Sequence, residues 1–567
     1  MQKYQIRKEI PEKIKNKLSD YSPLVQKLLF EREIDTKEKA EKFFNPDYER
    51  DTHDFYLLKD IKKAVRRILK AVKENEKILI YSDYDADGIP GAVVLHDFFV
   101  EIGFSNFENH IPHRNEDGFG LNSKTLKEIS QKKVGLIITI DCGIMGVKEV
   151  EEAAALGMEV IITDHHLPGS LLPRAHSIIN PNQKGDKYPF KHLCGCAVVF
   201  KLVQALIKEG RFEIKDGWDK WLLDMVGFAT VSDMVPLVGE NRTLSHFGLV
   251  VLRKTRRPGL RSLYKENFLK PEVISEDDLS FVLTPRINAA SRMDEVHLAF
   301  DLLRTRDEGL AEAGAEKLNK LNDKRKMAVA SMAKSVRMKI SKMVEEPKII
   351  VAGNSEWMPS LLGPVASSLA ENFNKPVFLW GQNGDNEIRG SCRSDQRLDV
   401  FELMKSLPMG LLLNFGGHKF SGGFVVARDR IHFFEEEILK AYKNFNLTEE
   451  ALPLMIDAEL SLKDVDWNLT RDLLKFAPYG KGNKKPVFLF RDVSPDEFDK
   501  FGKNKEHLKI VFKEGLRKPL QAVKFFSKDD DNLIRLKEKT KFDLAASIEV
   551  SYFRNFPELR LRIIDFF

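Results

Sequence analysis

Three short apolar runs, each stopping at a charged or metal-ligating residue, constrain this chain more than anything else in it. Ile78-Leu79-Ile80-Tyr81 runs into Asp83-Tyr84-Asp85-Ala86-Asp87-Gly88, Gly135-Leu136-Ile137-Ile138-Thr139-Ile140 into Asp141-Cys142-Gly143, and Glu159-Val160-Ile161-Ile162-Thr163 into Asp164-His165-His166. Helical patterns separate them: Ala92 to Leu95 follows the turn at Gly88, and Val147 to Leu156 is closed by Gly157. Alternation of this kind is the signature of βα units around a parallel sheet. In such a sheet all the strands point one way, so the acids and histidines collect at one edge, the carboxyl edge where ligands bind. Carboxylates that close repel one another unless a cation neutralises them. Asp83, Asp85, Asp141 and His165 together offer oxygen and imidazole donors that suit Mn²⁺ or Mg²⁺ in a two-ion centre.

The rest of the 567 residues implies several domains, and a 43% hydrophobic content is ample for their cores. Ninety Lys and Arg against 85 Asp and Glu leave a net charge of +5, too small to mark a nucleic-acid binder by itself. Cys142, Cys194, Cys196 and Cys392 are too few and too scattered for a disulfide framework or a zinc site, and read as small core residues. The N-terminus is charged throughout, and no apolar run approaches the ~18 residues of a membrane span. A cytoplasmic protein is the expectation.

Residues 1–70 read as a helical cap on the core domain and 71–297 as the parallel-sheet domain. From 298 to 345 a helical pattern interrupted only by Gly309 and Gly314 reads as one long connecting helix. Residues 346–446 begin a second α/β domain with Lys348-Ile349-Ile350-Val351-Ala352, and 447–567 alternate strands with turns. Two basic clusters, 253–257 and 324–342, are open between a solvated helix surface and contact with a nucleic-acid backbone.

Taken together, these motifs resemble a known family. Asp83 to Gly88, Thr139-Ile140-Asp141-Cys142-Gly143 and Asp164-His165-His166 are similar to the first three motifs of the DHH phosphoesterase superfamily, and Val231-Ser232-Asp233-Met234-Val235-Pro236-Leu237 to its fourth. Leu283 to Arg292, Gly390-Ser391-Cys392-Arg393-Ser394 and Gly416-Gly417-His418 with Ser421-Gly422-Gly423 resemble stretches of its RecJ branch and of the associated DHHA1 domain. Leu79 stands where pyrophosphatase relatives carry a His. The resemblance implies an α/β fold: a DHH parallel-sheet domain joined by a long helix to a DHHA1 domain, plus a C-terminal OB-fold β-barrel.

The same resemblance implies the site. Asp83 would serve one metal ion, Asp85, His165 and Asp233 the other, and Asp141 both. His166 would touch the scissile phosphate, Asp87 would be a weaker or outlying ligand, and Asp164 would orient His165. Arg114, in the loop His110 to Asn122, would join Ser391 and Arg393 on a terminal phosphate, with Arg286, Asn288 and His418 also contacting phosphate. Tyr479, Lys481 and Lys509 would hold single-stranded DNA on the barrel. The implied activity is a Mn²⁺- or Mg²⁺-dependent exonuclease that degrades single-stranded DNA from its 5′ end to mononucleotides in recombination and repair, working as a monomer beside a single-strand-binding protein and a helicase. Two other readings stay open: a DHH phosphodiesterase for short oligonucleotides or cyclic dinucleotides, and a DNA-binding relative without activity.

Overall fold

The strands that end at Asp83, Asp141 and Asp164 are neighbours or near neighbours in one five-stranded sheet of the computed structural model. The structure describes residues 4–382, 387–395, 397–445, 453–502, 505–513, 515–525, 527, 541–552 and 556–567. The chain divides into two compact units, His53–Asp233 with Gly248–Glu450, and Met1–Thr52 with Met234–Phe247 and Ala451–Phe567.

In the larger unit the first sheet runs in the order Phe107–His110, Ile78–Ser82, Leu136–Ile140, Glu159–Thr163, Ser177–Ile179, and every pairing is parallel. The central strands Ile78–Ser82 and Leu136–Ile140 are buried along their whole length, which explains why they read as unbroken apolar runs. On one face Leu126, Ile129, Val150 and Ala153 pack against Leu79, Ile137 and Ile162. The helices Gly88–Glu101 and Gly195–Gly210 meet at the other, where Gly91 lies against Ile140 and Cys196. From Ile78–Ser82 the first crossover leads to one side of the sheet and the next to the other. This reversal leaves a crevice beyond the carboxyl ends of Ile78–Ser82 and Leu136–Ile140, the place where open α/β sheets bind ligands.

The expected single connecting helix is two. Val296–Arg304 ends before Thr305, and Glu308–Ser341 starts afresh at Asp307, whose carboxylate accepts from the Leu310 N–H at 2.7 Å. An Asp at that position supplies an N-cap, a signal that hydrophobic periodicity alone passes over. The longer helix shares the core of the second sheet through Met332 and Val336, packed with Leu361, Val365 and Leu369 of the helix Pro359–Phe373. That sheet is mixed, in the order Leu412–His418, Ser421–Val426, Ile388–Arg393, Val377–Gln382, Ile350–Asn354.

The smaller unit is built on a seven-stranded sheet, in the order Ala458–Glu459, Phe488–Val493, Phe542–Ser551, Glu558–Phe566, Leu520–Lys524, His507–Phe512, Glu497–Phe501. Its apolar face, with Phe488, Phe490, Phe512 and Phe542, shares one core with Leu18, Val25, Leu28 and Leu29. The first strand, Tyr4–Ile6, pairs with Leu454–Ile456. Residues 1–52 therefore pack with the C-terminal sheet, where the sequence suggests a cap on the parallel-sheet domain. The helices are amphipathic either way, and amphipathicity does not say which partner covers the apolar face. Among the described residues no helix is long and apolar enough to cross a membrane.

Candidate metal centre

Each acid at the crevice is delivered by one more rung of the sheet ladder. The Asp83 N–H donates to the Ile140 carbonyl at 3.0 Å, the Asp141 N–H to Thr163 at 2.9 Å and the Asp164 N–H to Ile179 at 3.1 Å. Asp141 takes a left-handed φ of 59°, which turns the chain off the strand into Gly143. Gly88 and Gly195 let the backbone close in: a Cβ on Gly88 would lie 2.5 Å from the Asp83 carbonyl oxygen, and one on Gly195 2.5 Å from the Asp141 Cβ. Asp233 arrives from another direction, at the C-terminal end of the helix Leu223–Ser232. A carboxylate there faces the negative end of the helix dipole, an unfavourable place without a compensating cation.

These groups form three sets whose ligand atoms lie within 4.8 Å of one another: Asp83, Asp85 and Asp141; Asp141, His165 and His166; Asp87, His165 and Asp233. His165 Nε2 stands 3.2 Å from Asp141 Oδ1 and 3.6 Å from Asp233 Oδ2. Asp83 Oδ1, Asp141 Oδ1 and His165 Nε2 are all buried and have no hydrogen-bond partner. Native proteins do not leave buried polar atoms unsatisfied without cause, and Asp141, common to two of the sets, links the Asp83 set to the His165 set. Burial, then neighbouring carboxylates, holds the Asp141 and Asp83 carboxyls well above the usual range. Burial lowers the His165 imidazole, keeping it neutral and able to ligate. The donor set fits a hard divalent ion.

Several of the expected site residues have further partners within the chain. Asp85 groups with Asp83 and Asp141 rather than with His165 and Asp233. Asp87 Oδ2 lies 3.7 Å from His165 Nε2, but its two oxygens also accept from the N–H groups of Gly195 at 2.6 Å and Cys196 at 2.8 Å, so it fastens the N-terminus of the helix Gly195–Gly210 beneath the site. Asp164 orients His166, not the His165 ring: its Oδ1 lies 2.8 Å from His166 Nδ1 and also accepts from both histidine N–H groups. Burial alone would lower His166, but the hydrogen bond and charge of Asp164 prevail and push it up to about 9. A cationic imidazole beside the ligands is a phosphate donor by its chemistry.

Arg286 and Asn288 also have partners within the chain. Arg286 Nε donates to Asn319 Oδ1 at 2.5 Å and its Nη1 to the Val282 carbonyl, while Asn288 Oδ1 accepts from the Ala86 N–H at 2.9 Å and braces the acidic loop. The residue missed is Arg292. Four positions after Asn288, it lies on the same helix face and therefore toward the same loop. Burial and the like charges of Arg114 and Arg325 lower it to about 9, with Tyr84 and Asp85 opposing. The Asn288 spacing was the available signal. Arg114 stacks 4.6 Å over the Tyr84 ring. Arg393 reaches Ser367 Oγ and Ser391 Oγ, each at 3.1 Å, and has no carboxylate within ion-pair distance among the described residues.

The remaining expected contacts fare differently. His418 is exposed at the end of a hairpin, outside the three ligand sets. In the smaller unit the Tyr479 hydroxyl donates to the Leu473 carbonyl at 2.5 Å and its partly buried ring packs on the core. Lys481 is exposed and its carbonyl accepts from the Leu237 N–H. Lys509 pairs with Asp499 at 3.3 Å and lines a cleft of about 1070 Å³ with Trp467, Phe501, Lys518 and Arg560. Phe526, next to Phe525 in the same domain, lies outside the described residues. In the first basic cluster Arg257 is buried between Asp97 and Asp224, whereas Arg253, Lys254 and Arg256 are exposed, Arg256 stacking 3.6 Å over Trp221 and Arg253 donating to the Ile274 carbonyl.

The chain matches three family models: the DHH family N-terminal domain over residues 77–230, the DHHA1 domain over 346–444 and the RecJ OB domain over 456–565. It is 30% identical over 509 residues to the single-stranded-DNA-specific exonuclease RecJ of Escherichia coli, covering 86% of each protein. With the protein of that name from Bacillus subtilis the identity is 33% over 494 residues, 87% of this chain and 62% of that one. The crystal structure of RecJ in complex with Mn²⁺ from Thermus thermophilus superposes with a TM-score of 0.81 at 25% identity, over 100% of this chain and 79% of that one.

Proposed function

Since the chain belongs to the RecJ family, we propose that it is a divalent-metal-dependent exonuclease that degrades single-stranded DNA from the 5′ end and releases 5′ mononucleotides. The observation that carries this reading is that Asp83 Oδ1, Asp141 Oδ1 and His165 Nε2 are buried without a hydrogen-bond partner at the ends of three adjacent parallel strands, with Asp141 shared between the sets that hold Asp83 and His165. Asp83 and Asp85 would hold one ion, His165 and Asp233 the second, and Asp141 both. When bound, Mn²⁺ or Mg²⁺ supplies an activated water and neutralises charge developing on the phosphate.

The side chains of this chain do the rest. His166, its proton held by Asp164, donates to a non-bridging oxygen of the scissile phosphate. Arg114, Arg292, Ser391 and Arg393 grip the terminal 5′ phosphate, which fixes the polarity, because charge-assisted donors converging on one dianion discriminate against an end that lacks it. Unpaired bases stack on aromatics of the C-terminal domain such as Trp467, 44% exposed beside the cleft that Lys509 lines. A role in recombination and repair, a monomeric state, and a helicase and single-strand-binding protein as partners follow the family.

A time course with Mn²⁺ or Mg²⁺ on single strands labelled at either end, with duplex and short RNA controls, tests this. Immediate mononucleotide release from the 5′ label alone is expected, and none in a chelator. Release only from dinucleotides or cyclic dinucleotides would move the enzyme to the small-nucleotide branch, and release from the 3′ label would overturn the polarity.

A further inference from the structure

The phosphate grip proposed above is assembled from two domains, Arg114 from a loop after the parallel sheet and Ser391 with Arg393 from the mixed sheet. Something must hold the loop in register with the strand. On the strand Ile388–Arg393, residues 389, 391 and 393 share one face, because side chains alternate. Arg389, the first of them, donates from Nη1 to the carbonyl of Asn115 at 3.1 Å, the residue next to Arg114. Its Nη2 is braced by Glu387 at 3.2 Å. Asn115 is itself buried, and its Nδ2 donates to Asp294 Oδ1 at 2.6 Å. Asp294 follows the helix Thr284–Arg292 and is held in a left-handed turn, φ 63°. The end of that helix is tied in turn to the second domain, Arg292 Nη1 to the Ser360 carbonyl at 2.5 Å and Ser360 Oγ to the Arg292 carbonyl at 2.9 Å. Left-handed Gly118 and Gly120, both at φ 79°, give the rest of the loop its turn.

We propose that Arg389 is a positioning residue that sets 5′-phosphate specificity: it bolts the Arg114 loop to the strand bearing Ser391 and Arg393, so that both halves meet one terminal phosphate. This rests on the reading of those three residues as a 5′-phosphate grip. Arg389 acts through the Asn115 carbonyl rather than on the phosphate.

The test compares kcat and KM of the full chain on one single-stranded oligonucleotide with a 5′ phosphate or a 5′ hydroxyl. For Arg389→Ala, KM for the phosphorylated strand should rise about tenfold, the worth of a charged hydrogen bond, with kcat and the hydroxyl substrate nearly unchanged. Arg389→Lys should recover part of the loss, and adding Arg389→Ala to Arg114→Ala should cost little more than Arg114→Ala alone. Equal losses on both substrates, or additive losses in the double variant, would overturn the proposal. Arg393→Ala separates the two readings: if it abolishes phosphate discrimination while Arg389→Ala does not, only the bolt is wrong; if neither variant changes discrimination, the grip itself is wrong.

Discussion

Asp141 is where stability and activity pull apart most clearly. Its buried carboxyl, surrounded by Asp87, Asp85, Asp83 and Asp233, is a liability to the metal-free protein and an asset to the loaded one. Asp141→Asn keeps the shape and removes the charge. The variant should lose single-strand hydrolysis by more than ~100-fold while retaining single-strand binding, which rests on basic and aromatic contacts elsewhere. In chelator its melting temperature should rise by about 2–4 °C for each kcal/mol of relieved repulsion, and the gain from Mn²⁺ seen with wild type should shrink. Near wild-type turnover would remove Asp141 from the centre. Arg393→Ala makes a second case: its hydrogen bonds to Ser367 and Ser391 serve both substrates alike, so the substrate-dependent part of its cost should fall on 5′-phosphorylated strands and spare 5′-hydroxyl ones in steady-state assays. The candidate ligands Asp83, Asp141 and His165 could be named from the sequence because strand ends announce themselves in an apolar run. Asn288 and Asp164 were legible as site residues but their partners were not, and Arg292 was not singled out, because which backbone amide or ring lies opposite is a tertiary fact.

Elements set how close those residues come, and they carry their own pH dependence. The helix Gly88–Glu101 buries His96 against the edge strand, where its Nδ1 lies 2.9 Å from the Asn109 amide. Burial lowers His96 from 6.5 to about 4, and burial likewise lowers His110 on that strand to about 4. The folded state therefore keeps both rings neutral where the unfolded chain already binds protons. Their contribution is fully present above pH 6.5 and is lost as pH falls toward about 4, of the order of 2 kcal/mol for each ring. Thermal melts from pH 7.5 to 4.5 should fall less steeply for His96→Gln than for wild type; parallel curves would sink this account. Glycines mark the other constraint at this scale. The close approach of Gly195 to Asp141 leaves no room for Gly195→Ala, which should cost Mn²⁺ affinity in calorimetry even where the fold survives. The parallel strands and the helices between them were readable from period and length. The break at Thr305 to Asp307 was not, because a capping carboxylate leaves the apolar stripe on either side intact.

At the scale of the whole chain, sequence neighbours and spatial neighbours part company. Residues 1–52 stand beside the parallel-sheet domain in sequence, yet Leu18, Val25, Leu28 and Leu29 are buried in one core with Phe476, Phe488, Phe490 and Leu544 of the C-terminal domain. No local pattern could report a partner more than 400 residues away, whereas the first strand's pairing, Tyr4 with Leu454, shows how directly the two ends are joined. The consequence is that damage at the N-terminus should be felt in the C-terminal sheet. Leu28 is fully buried, and Leu28→Ala should cost about 2–5 kcal/mol through lost burial and the cavity left behind. Because local stability tracks cooperative units, hydrogen exchange should accelerate in Phe488–Val493 and Phe542–Ser551 while the amides of Ile78–Ser82 and Leu136–Ile140 keep their protection. Mn²⁺ binding should survive in the same variant, since every proposed ligand belongs to the other unit. Single-strand affinity should fall, because the aromatic and basic cleft around Trp467 and Lys509 is built on the weakened sheet. Protection lost equally in all four strands would mean that the chain unfolds as one body, and the N-terminal segment would then be a brace for the whole molecule rather than a part of the C-terminal unit.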